Sequence, residues 1–199
     1  MCIRDRAEPI VSAIEELDRL TDFLNKSLDV AEAKADALRL NRVALDLDEL
    51  LRIMIDLYEP SMSEKGLQIR LQSGGPLTIE ADAALLHRMV ANLFDNELKH
   101  LPPACSVTIR LSVEDDAASL ILDDDGPGFD PEVCLHLFER RVKGRDSNGH
   151  GLGLAFIDAV ARAHGGTVAA SNRESGGARI IVALPLASNQ GYQSPVPAI

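Results

Sequence analysis

Three aspartates followed by two glycines form the first segment whose residue types could do chemistry. The run reads Asp-Asp-Asp-Gly-Pro-Gly-Phe-Asp over residues 123–130 and follows an apolar stretch that predicts a strand. Gly126 and Gly128 permit a tight turn and a close approach of the backbone to a ligand. A carboxylate at the strand end, such as that of Asp124, can accept a hydrogen bond from a ligand amine.

Two other interpretations of this acidic run are an acidic surface turn and a calcium loop. An EF-hand calcium loop needs oxygen ligands at alternate positions, a glycine at the sixth and a glutamate at the twelfth. No start among these aspartates provides that register. The spacing therefore argues against calcium and leaves a surface turn or a site for a ligand amine.

A second segment, residues 148–156, reads Asn-Gly-His-Gly-Leu-Gly-Leu-Ala-Phe and directly precedes a predicted helix that runs to about residue 163. Gly149, Gly151 and Gly153 expose backbone N–H groups at the helix N-terminus, where the helix dipole favours an anion. We interpret the segment as a phosphate-binding loop. It is not a Walker sequence, since no Lys-Ser or Lys-Thr follows, and the strand and acidic residue of a dinucleotide site are misplaced.

The third segment, residues 92–100, is a predicted helix with a polar face. Asn92 and Asn96 are four residues apart and share that face with Lys99 and His100 just beyond, whereas the leucines and the phenylalanine between them face the core. An amide oxygen can bind Mg²⁺, and an ammonium group can contact a phosphate. A single polar helix face is more often only solvated, so the interpretation depends on all three segments together.

The elements that must position these segments begin at about residue 41, where short apolar runs alternate with helical patterns, as is typical of a compact α/β domain. We predict one helix with Asp48 as its N-cap and Pro60 bending or ending it, and a second that starts at Asp82 and stops before Pro102. Strands are predicted over residues 43–47, 67–71, 77–80, 107–113, 119–122, 167–170 and 178–184.

An N-terminal arm precedes this body. If Thr21 fills one gap, the apolar steps from Ile10 to Leu38 average 3.5 residues, which is the period of a coiled-coil seam. Leu20 and Phe23 widen the seam, which suits a helical hairpin doubled by dimerisation into a four-helix bundle. We expect the partner helix upstream of this chain. The alternative is a helix that packs on the body.

Composition excludes several classes of function. The chain has 199 residues, 46% of them hydrophobic, and a net charge of −11. No apolar run approaches the roughly 20 residues that cross a bilayer, so we expect a soluble segment without membrane contact. An acidic chain with 4% aromatic residues is a poor match for nucleic acid. Cys2, Cys105 and Cys134 are far apart, as expected for free thiols in a reducing cytoplasm. These features do not decide whether a membrane anchor lies upstream.

Four motifs together resemble the N, G1, F and G2 boxes of the sensor histidine kinases. They are the asparagine helix (92–100), the Asp-x-Gly-x-Gly turn (124–128), a Leu-Phe-Glu-Arg segment (137–140) and the glycine loop (149–154). They occur in the family's order, and with the terminal strands the resemblance covers nearly all of residues 43–186. The broader relatives are the ATPases of the DNA gyrase and mismatch-repair type.

The resemblance implies an α+β fold, namely a two-layer α/β sandwich of the Bergerat ATP-binding type, with a mixed sheet, helices on one face and a long coiled-coil-like helix before it. Residues 7–40 are then similar to the second helix of the family's dimerisation and histidine-phosphotransfer hairpin. Residues 41–187 would be the catalytic ATP-binding domain, and residues 188–199, which are polar and aperiodic, a loose tail.

By the same resemblance, Asp124 would accept a hydrogen bond from the adenine amino group. The physical chemistry agrees, because guanine presents a carbonyl there and would leave a buried carboxylate facing an acceptor. Asn96 would hold Mg²⁺ against the triphosphate, with Asn92 beside it.

Residues 130–148 would form a lid over ATP, with Phe138 anchoring its hinge and Arg140 and Lys143 placing positive charge near the γ-phosphate. The resemblance implies catalytic roles for Asn92, Lys99 and Arg140 and a metal-ligand role for Asn96. The implied ATP-binding residues are Asn92, Asn96, Lys99, His100, Asp124, Gly126, Gly128, Phe138, Lys143, Gly149, His150, Gly151, Leu152 and Gly153.

Some positions separate this chain from its relatives. The hydrolytic and Ser-directed members have a glutamate where Asn92 stands, and a neutral imidazole needs less activation than a hydroxyl, so asparagine suits transfer to histidine. Glu97 replaces a small residue and His150 a Ser or Thr, from which we expect modified affinity rather than lost binding. Glu97 does not supply the missing base easily, because one residue along a helix turns it about 100° away.

The acceptor histidine of the family is absent from this chain. None of the histidines lies on the arm in the family's His-Glu or His-Asp context; they are His87, His100, His136, His150 and His164. His164 is expected to close a helix beside two glycines.

These observations predict the ATP-binding catalytic domain of a sensor histidine kinase that uses ATP and Mg²⁺. It would transfer the γ-phosphoryl group to a histidine outside this chain, for relay to an aspartate of a response-regulator receiver domain. A second kinase subunit would pair with it through the arm. The alternatives are an ATPase or an anti-sigma-type Ser-directed kinase, and a non-catalytic histidine-phosphotransfer adaptor.

Overall fold

The computed structural model describes residues 40–130 and 153–186; the predicted arm up to residue 39, residues 131–152 and the tail from residue 187 lie outside them. No helix in these two ranges is long and apolar enough to cross a membrane. The described elements are β1 (Arg42–Asp46), α1 (Leu47–Glu64), β2 (Gln68–Ser73), β3 (Thr78–Asp82), α2 (Ala83–His100), β4 (Ser106–Glu114), β5 (Ala117–Asp124), α3 (Gly153–Ala163), β6 (Thr167–Asn172) and β7 (Ala178–Pro185).

The strands form a mixed five-stranded sheet in the order β2-β4-β5-β7-β6 and a separate antiparallel pair of β1 and β3. Within the larger sheet, β2 runs parallel to β4, and the other neighbours are antiparallel. The predicted β4–β5 hairpin is confirmed: Glu114 pairs with Ala117, and Asp115 and Asp116 between them both have positive φ. A two-residue turn of this kind matches the twist of the strands it joins.

The core lies between the sheet and the helices. Alternate residues of β4 are buried, beginning with Val107 and Ile109, and pack with buried side chains of all three helices, among them Phe94 of α2 and Phe156 of α3. The period of two along β4 therefore places one face of the sheet against the helices. The predicted α/β sandwich with a mixed sheet is confirmed.

Helix α1 differs from prediction at its N-cap and continues past Pro60. Asp46, and not Asp48, is the N-cap: its backbone is extended, and its side chain accepts a hydrogen bond of 2.9 Å from the Asp48 N–H. Asp48 lies in the first turn and pairs with Arg52 at 2.8 Å. The helix continues past Pro60 to Glu64, so of the two predicted effects of Pro60, bending or ending the helix, ending is excluded. Pro60 is exposed, so water can replace the one hydrogen bond that proline cannot make.

Helix α2 begins and ends as predicted, and a buried histidine ties its start to α3. Asp82 is its N-cap and accepts a hydrogen bond from the Leu85 N–H at 3.2 Å. The backbone N–H of Asp82 donates to Nε2 of His164 at 3.0 Å, while Nδ1 of that ring lies 2.8 Å from the Val160 carbonyl oxygen. His164 also closes α3 beside Gly165, whose φ is +80°. Burial lowers the pKa of His164, which favours the neutral ring that these contacts require.

Candidate active site

The carboxylate of Asp124 lies at the end of β5 and is 4% exposed. Its Oδ1 accepts a hydrogen bond from the Gly126 N–H at 2.7 Å, and its Oδ2 accepts one from the Ala178 N–H at 3.1 Å. Burial raises the pKa of Asp124, and these two N–H groups oppose that shift. Because each carboxylate oxygen has two lone pairs, both oxygens retain capacity to accept a bond from a ligand.

Gly126 and Gly128, which follow Asp124, both lie so close to neighbouring atoms that a Cβ would collide with them. A Cβ at Gly126 would lie 2.4 Å from Cδ2 of Leu101, at the end of α2, and 3.0 Å from Oδ1 of Asp124. Gly128 has a φ of +76°, and a Cβ there would lie 2.7 Å from Oδ1 of Asn172. Gly126 therefore keeps the approach to the carboxylate open, whereas Gly128 packs against the end of β6. The role of either glycine as a wall of a base pocket stays a prediction.

Asn92 and Asn96 lie together beside the start of α3. A Cβ at Gly153 would be 3.2 Å from Oδ1 of Asn96 and 3.6 Å from Oδ1 of Asn92. The Asn92 amide donates to the Arg88 carbonyl oxygen at 2.8 Å, which directs its own oxygen toward Gly153. Two amide oxygens thus meet the backbone at the helix N-terminus, where oxygen ligands for Mg²⁺ and donors for phosphate would be needed.

Lys99 and His100 are exposed at the C-terminal end of α2. The pKa of His100 is lowered by partial desolvation and then by the positive charges of Lys99 and Lys65. The ring is therefore neutral at physiological pH and can donate or accept a hydrogen bond. Both residues lie in the last turn of the helix that carries the asparagines, and their sharing of the asparagine face stays a prediction.

Glu97 was predicted to lie about 100° from the asparagine face of α2, but the sequence did not predict its burial beside Asp124. Its side chain is 6% exposed, and burial, followed by the negative charge of Asp124, raises its pKa to about 8. The charge of Lys65 opposes this shift, and the Lys65 ammonium donates to the Leu98 carbonyl oxygen. Glu97 is therefore mostly protonated at pH 7 and lies on the Asp124 side of the helix. One wall, α2, carries both the paired asparagines and this carboxyl group.

A second group missed from the sequence surrounds Asp123. This carboxylate is 3% exposed and accepts hydrogen bonds from Arg179 at 2.6 and 2.8 Å and from Arg110 at 2.7 Å, while Nε of Arg173 lies 3.7 Å away. Burial raises the pKa of Asp123, but the two hydrogen-bonded arginines outweigh it and hold the pKa below its usual value. As successive strand residues, Asp123 and Asp124 point to opposite faces of the sheet.

The structure brings together part of the predicted site. Asp124 and Gly126 form one cluster and Asn92, Asn96 and Gly153 another, with α2 joining them. In residues 40–130 and 153–186, no group of three or more His, Cys, Asp and Glu side chains converges to hold a metal. The predicted residues outside these ranges are Phe138, Arg140, Lys143, Gly149, His150, Gly151 and Leu152.

Comparison with known proteins gives a family and several relatives. Residues 81–188 match the family described as histidine kinase-, DNA gyrase B- and HSP90-like ATPases. The chain is 33% identical over 169 residues to the sensor protein KdpD of Escherichia coli K12, a match that covers 83% of this chain and 19% of KdpD. It spans between 19% and 38% of the length of the first curated relatives it matches.

Two solved structures are also similar. Full-length ShkA in complex with AMPPNP superposes with a TM-score of 0.81 and 30% identity, covering 92% of this chain and 39% of ShkA. The histidine kinase ThkA, crystallised with the response regulator protein TrrA, shares the fold with a TM-score of 0.67 at 21% identity, over 86% of this chain and 48% of ThkA.

Proposed function

Because the chain belongs to the family of histidine kinase-, DNA gyrase B- and HSP90-like ATPases, we propose that it is the ATP-binding catalytic domain of a sensor histidine kinase. In this proposal it transfers the γ-phosphoryl group of ATP to a histidine outside the chain, from which an aspartate of a receiver domain takes it. The observation that carries the proposal is the buried Asp124 carboxylate, held by two backbone N–H groups beside Gly126.

This carboxylate supports selection of adenine. The N–H groups of Gly126 and Ala178 fix its orientation, and the remaining lone pairs can accept a bond from the exocyclic amino group of adenine. Guanine presents a carbonyl oxygen at the corresponding position. Two acceptors would then face each other in a buried site, which costs about 1–3 kcal/mol or more for each unsatisfied group.

The asparagine pair fits Mg²⁺ and the phosphates. The amide oxygens of Asn96 and Asn92 lie next to Gly153, at the start of α3, where backbone N–H groups can donate to phosphate oxygens. Bound there, Mg²⁺ would neutralise charge on the triphosphate. Lys99 and His100, at the exposed end of α2, would contact the phosphates or the ribose. Arg140 and Lys143 would place positive charge near the γ-phosphate.

Asn92 favours transfer to histidine over hydrolysis. Its amide cannot take a proton from water or from a serine hydroxyl, whereas a neutral imidazole is already nucleophilic. Of the two carboxyl groups on α2, Glu97 is buried on the Asp124 side, and Asp95 accepts a hydrogen bond from the Tyr58 hydroxyl at 3.0 Å. An ATPase or a Ser-directed kinase is therefore the less favoured function.

The proposed partners follow from the proposed reaction. A receiver domain would accept the phosphoryl group, and a second subunit would pair through the helical arm of residues 7–40. The structure of ThkA with the response regulator TrrA supports the first partner by analogy of fold. We place the domain in the cytoplasm, where ATP and receiver domains are available.

Labelled ATP tests transfer against hydrolysis. The chain is incubated with Mg²⁺ and ATP labelled in the γ-phosphate, with and without a purified dimerisation hairpin from a sensor histidine kinase. We expect label on the hairpin in an acid-labile, alkali-stable linkage, and phosphate release near background without the hairpin. Steady phosphate release that needs no hairpin would instead identify an ATPase.

A further inference from the structure

The turn between β6 and β7 packs directly against the loop that carries Asp124. A Cβ on Gly177 of this turn would lie 2.0 Å from the Asp124 carbonyl oxygen, and the neighbouring Ala178 donates its N–H to the Asp124 carboxylate at 3.1 Å. Further along the loop, Asn172 donates to the Phe129 carbonyl oxygen at 2.9 Å and accepts from the Phe129 N–H at 2.7 Å. The turn and the strand residues that flank it therefore hold the loop at both ends.

Arg173 is the charged residue of this contact. Its guanidinium donates a hydrogen bond to the Asp124 carbonyl oxygen and lies 3.7 Å from the Asp123 carboxylate. The backbone N–H of Arg173 donates to the Gly177 carbonyl oxygen at 2.9 Å, which fixes the base of the side chain. The side chain is 26% exposed, so solvent screens its charge only in part.

Asp123 does not need Arg173 as a partner. Arg179 makes two hydrogen bonds to this carboxylate and Arg110 makes one, each at 2.8 Å or less. The charge of Arg173 also acts on Asp124, whose pKa it lowers. The side chain that is redundant for Asp123 thus makes its hydrogen bond to the backbone of Asp124.

We propose that Arg173 is a positioning residue that fixes Asp124 for recognition of the adenine amino group, an inference that rests on the function proposed above. Its hydrogen bond holds the carbonyl of Asp124, so the carboxylate keeps its direction when a base enters. Its positive charge favours the ionised carboxylate, which is the form that can accept the amino N–H with either oxygen.

The effect of the Arg173 charge can be separated from the effect of its hydrogen bond to the Asp124 carbonyl oxygen. Burial raises the pKa of Asp124 and Arg173 lowers it, while the negative charge of Asp125 raises it. Glu97 on α2 and the buried thiol of Cys105 also face this carboxylate. Removing Arg173 should therefore raise the pKa of Asp124 further, with the other groups unchanged.

Calorimetric titration of AMPPNP and Mg²⁺ into the chain and three variants tests the inference. We expect Arg173→Ala to weaken binding about tenfold at pH 7, Arg173→Lys to restore most of the affinity, and the control Arg179→Ala to change it less than about threefold. As pH falls, affinity should decline at a higher pH in Arg173→Ala than in the unmodified chain, because the carboxylate is protonated earlier. Melting curves establish that each variant is folded at the titration temperature.

The outcomes separate this inference from the function on which it rests. If the unmodified chain does not bind AMPPNP, the proposed function and the inference both fail. If it binds and Arg173→Ala binds equally well with the same pH profile, the inference alone is overturned. An equal loss in Arg173→Ala and Arg179→Ala would also overturn it, because the effect would then come from the Asp123 cluster as a whole.

Discussion

Replacing Glu97 with glutamine should raise the free energy of unfolding by less than about 1 kcal/mol at pH 5 and by a few kcal/mol at pH 9. The substitution keeps the shape of the side chain and removes its ability to ionise. In the folded chain, burial and the charge of Asp124 raise the pKa of Glu97 to about 8, from 4.5 in an unfolded chain. Each unit of difference corresponds to about 1.4 kcal/mol.

The direction of the effect follows from proton linkage. Between pH 4.5 and about 8 the folded chain binds the Glu97 proton and the unfolded chain does not, so the contribution of this residue to stability falls as pH rises. Above about pH 8 the stabilising contribution of Glu97 is lost completely. Below pH 4.5 the carboxyl group is protonated in both the folded and the unfolded chain, so the glutamate and the glutamine side chains are then both uncharged and the stability difference vanishes.

Urea unfolding of both chains from pH 5 to pH 9 measures this difference. The matched control is Glu59→Gln, on the exposed surface of α1, for which we expect little change across the same range. The difference in unfolding free energy between a variant and the unmodified chain at the same pH cancels the contributions of all other titrating groups. A stability difference for Glu97→Gln that is the same at pH 5 and pH 9 would contradict the account of a protonated carboxyl group beside Asp124.

Replacing Gly177 with alanine should destabilise the chain by more than about 3 kcal/mol and remove nucleotide binding. A Cβ there would lie 2.0 Å from the carbonyl oxygen and 2.7 Å from the carbonyl carbon of Asp124, and 2.9 Å from Cα of Asp125. These are backbone atoms, so no side-chain rotation can relieve the overlap. The φ of +87° adds strain for any residue with a side chain.

The adjacent Gly176 provides a matched control. Its φ is +93°, but a Cβ there would meet nothing within 4 Å. Gly176→Ala should therefore cost only the backbone strain, about 1–2 kcal/mol, and leave nucleotide binding intact. Thermal and urea unfolding measure both costs. If the two variants lose the same stability, the close packing of the turn against Asp124 is not what requires glycine at residue 177.

Local patterns were enough to predict most of the strands and helices. Alternating apolar residues predicted β4 and β7, and the carboxylate of Asp82 before an apolar helix predicted the start of α2, because these signals act over a few residues. The cap of α1 was wrong by two residues, since Asp46 and Asp48 are both acceptable caps and the choice depends on β1, which ends at Asp46.

The site was predictable where its residues form a motif. The spacing of Asn92 and Asn96 places them on one helix face, and the glycines after Asp124 mark a close turn. The burial of Glu97 beside Asp124 and the contact of Arg173 with Asp124 were not predictable in this way. Arg173 reaches Asp124 across 49 residues of sequence, through the pairing of β5 with β7 and of β7 with β6, and no local pattern encodes that register.

The most direct test of the central claim is calorimetric titration of the intact chain with AMPPNP and Mg²⁺, compared with a GTP analogue and with Asp124→Ala. We predict binding of one AMPPNP per site, no detectable binding of the GTP analogue, and at least about a hundredfold loss of AMPPNP affinity in the variant. Absence of AMPPNP binding by the intact, folded chain, or equal binding of the two nucleotides, would contradict an adenine-reading kinase site built on Asp124.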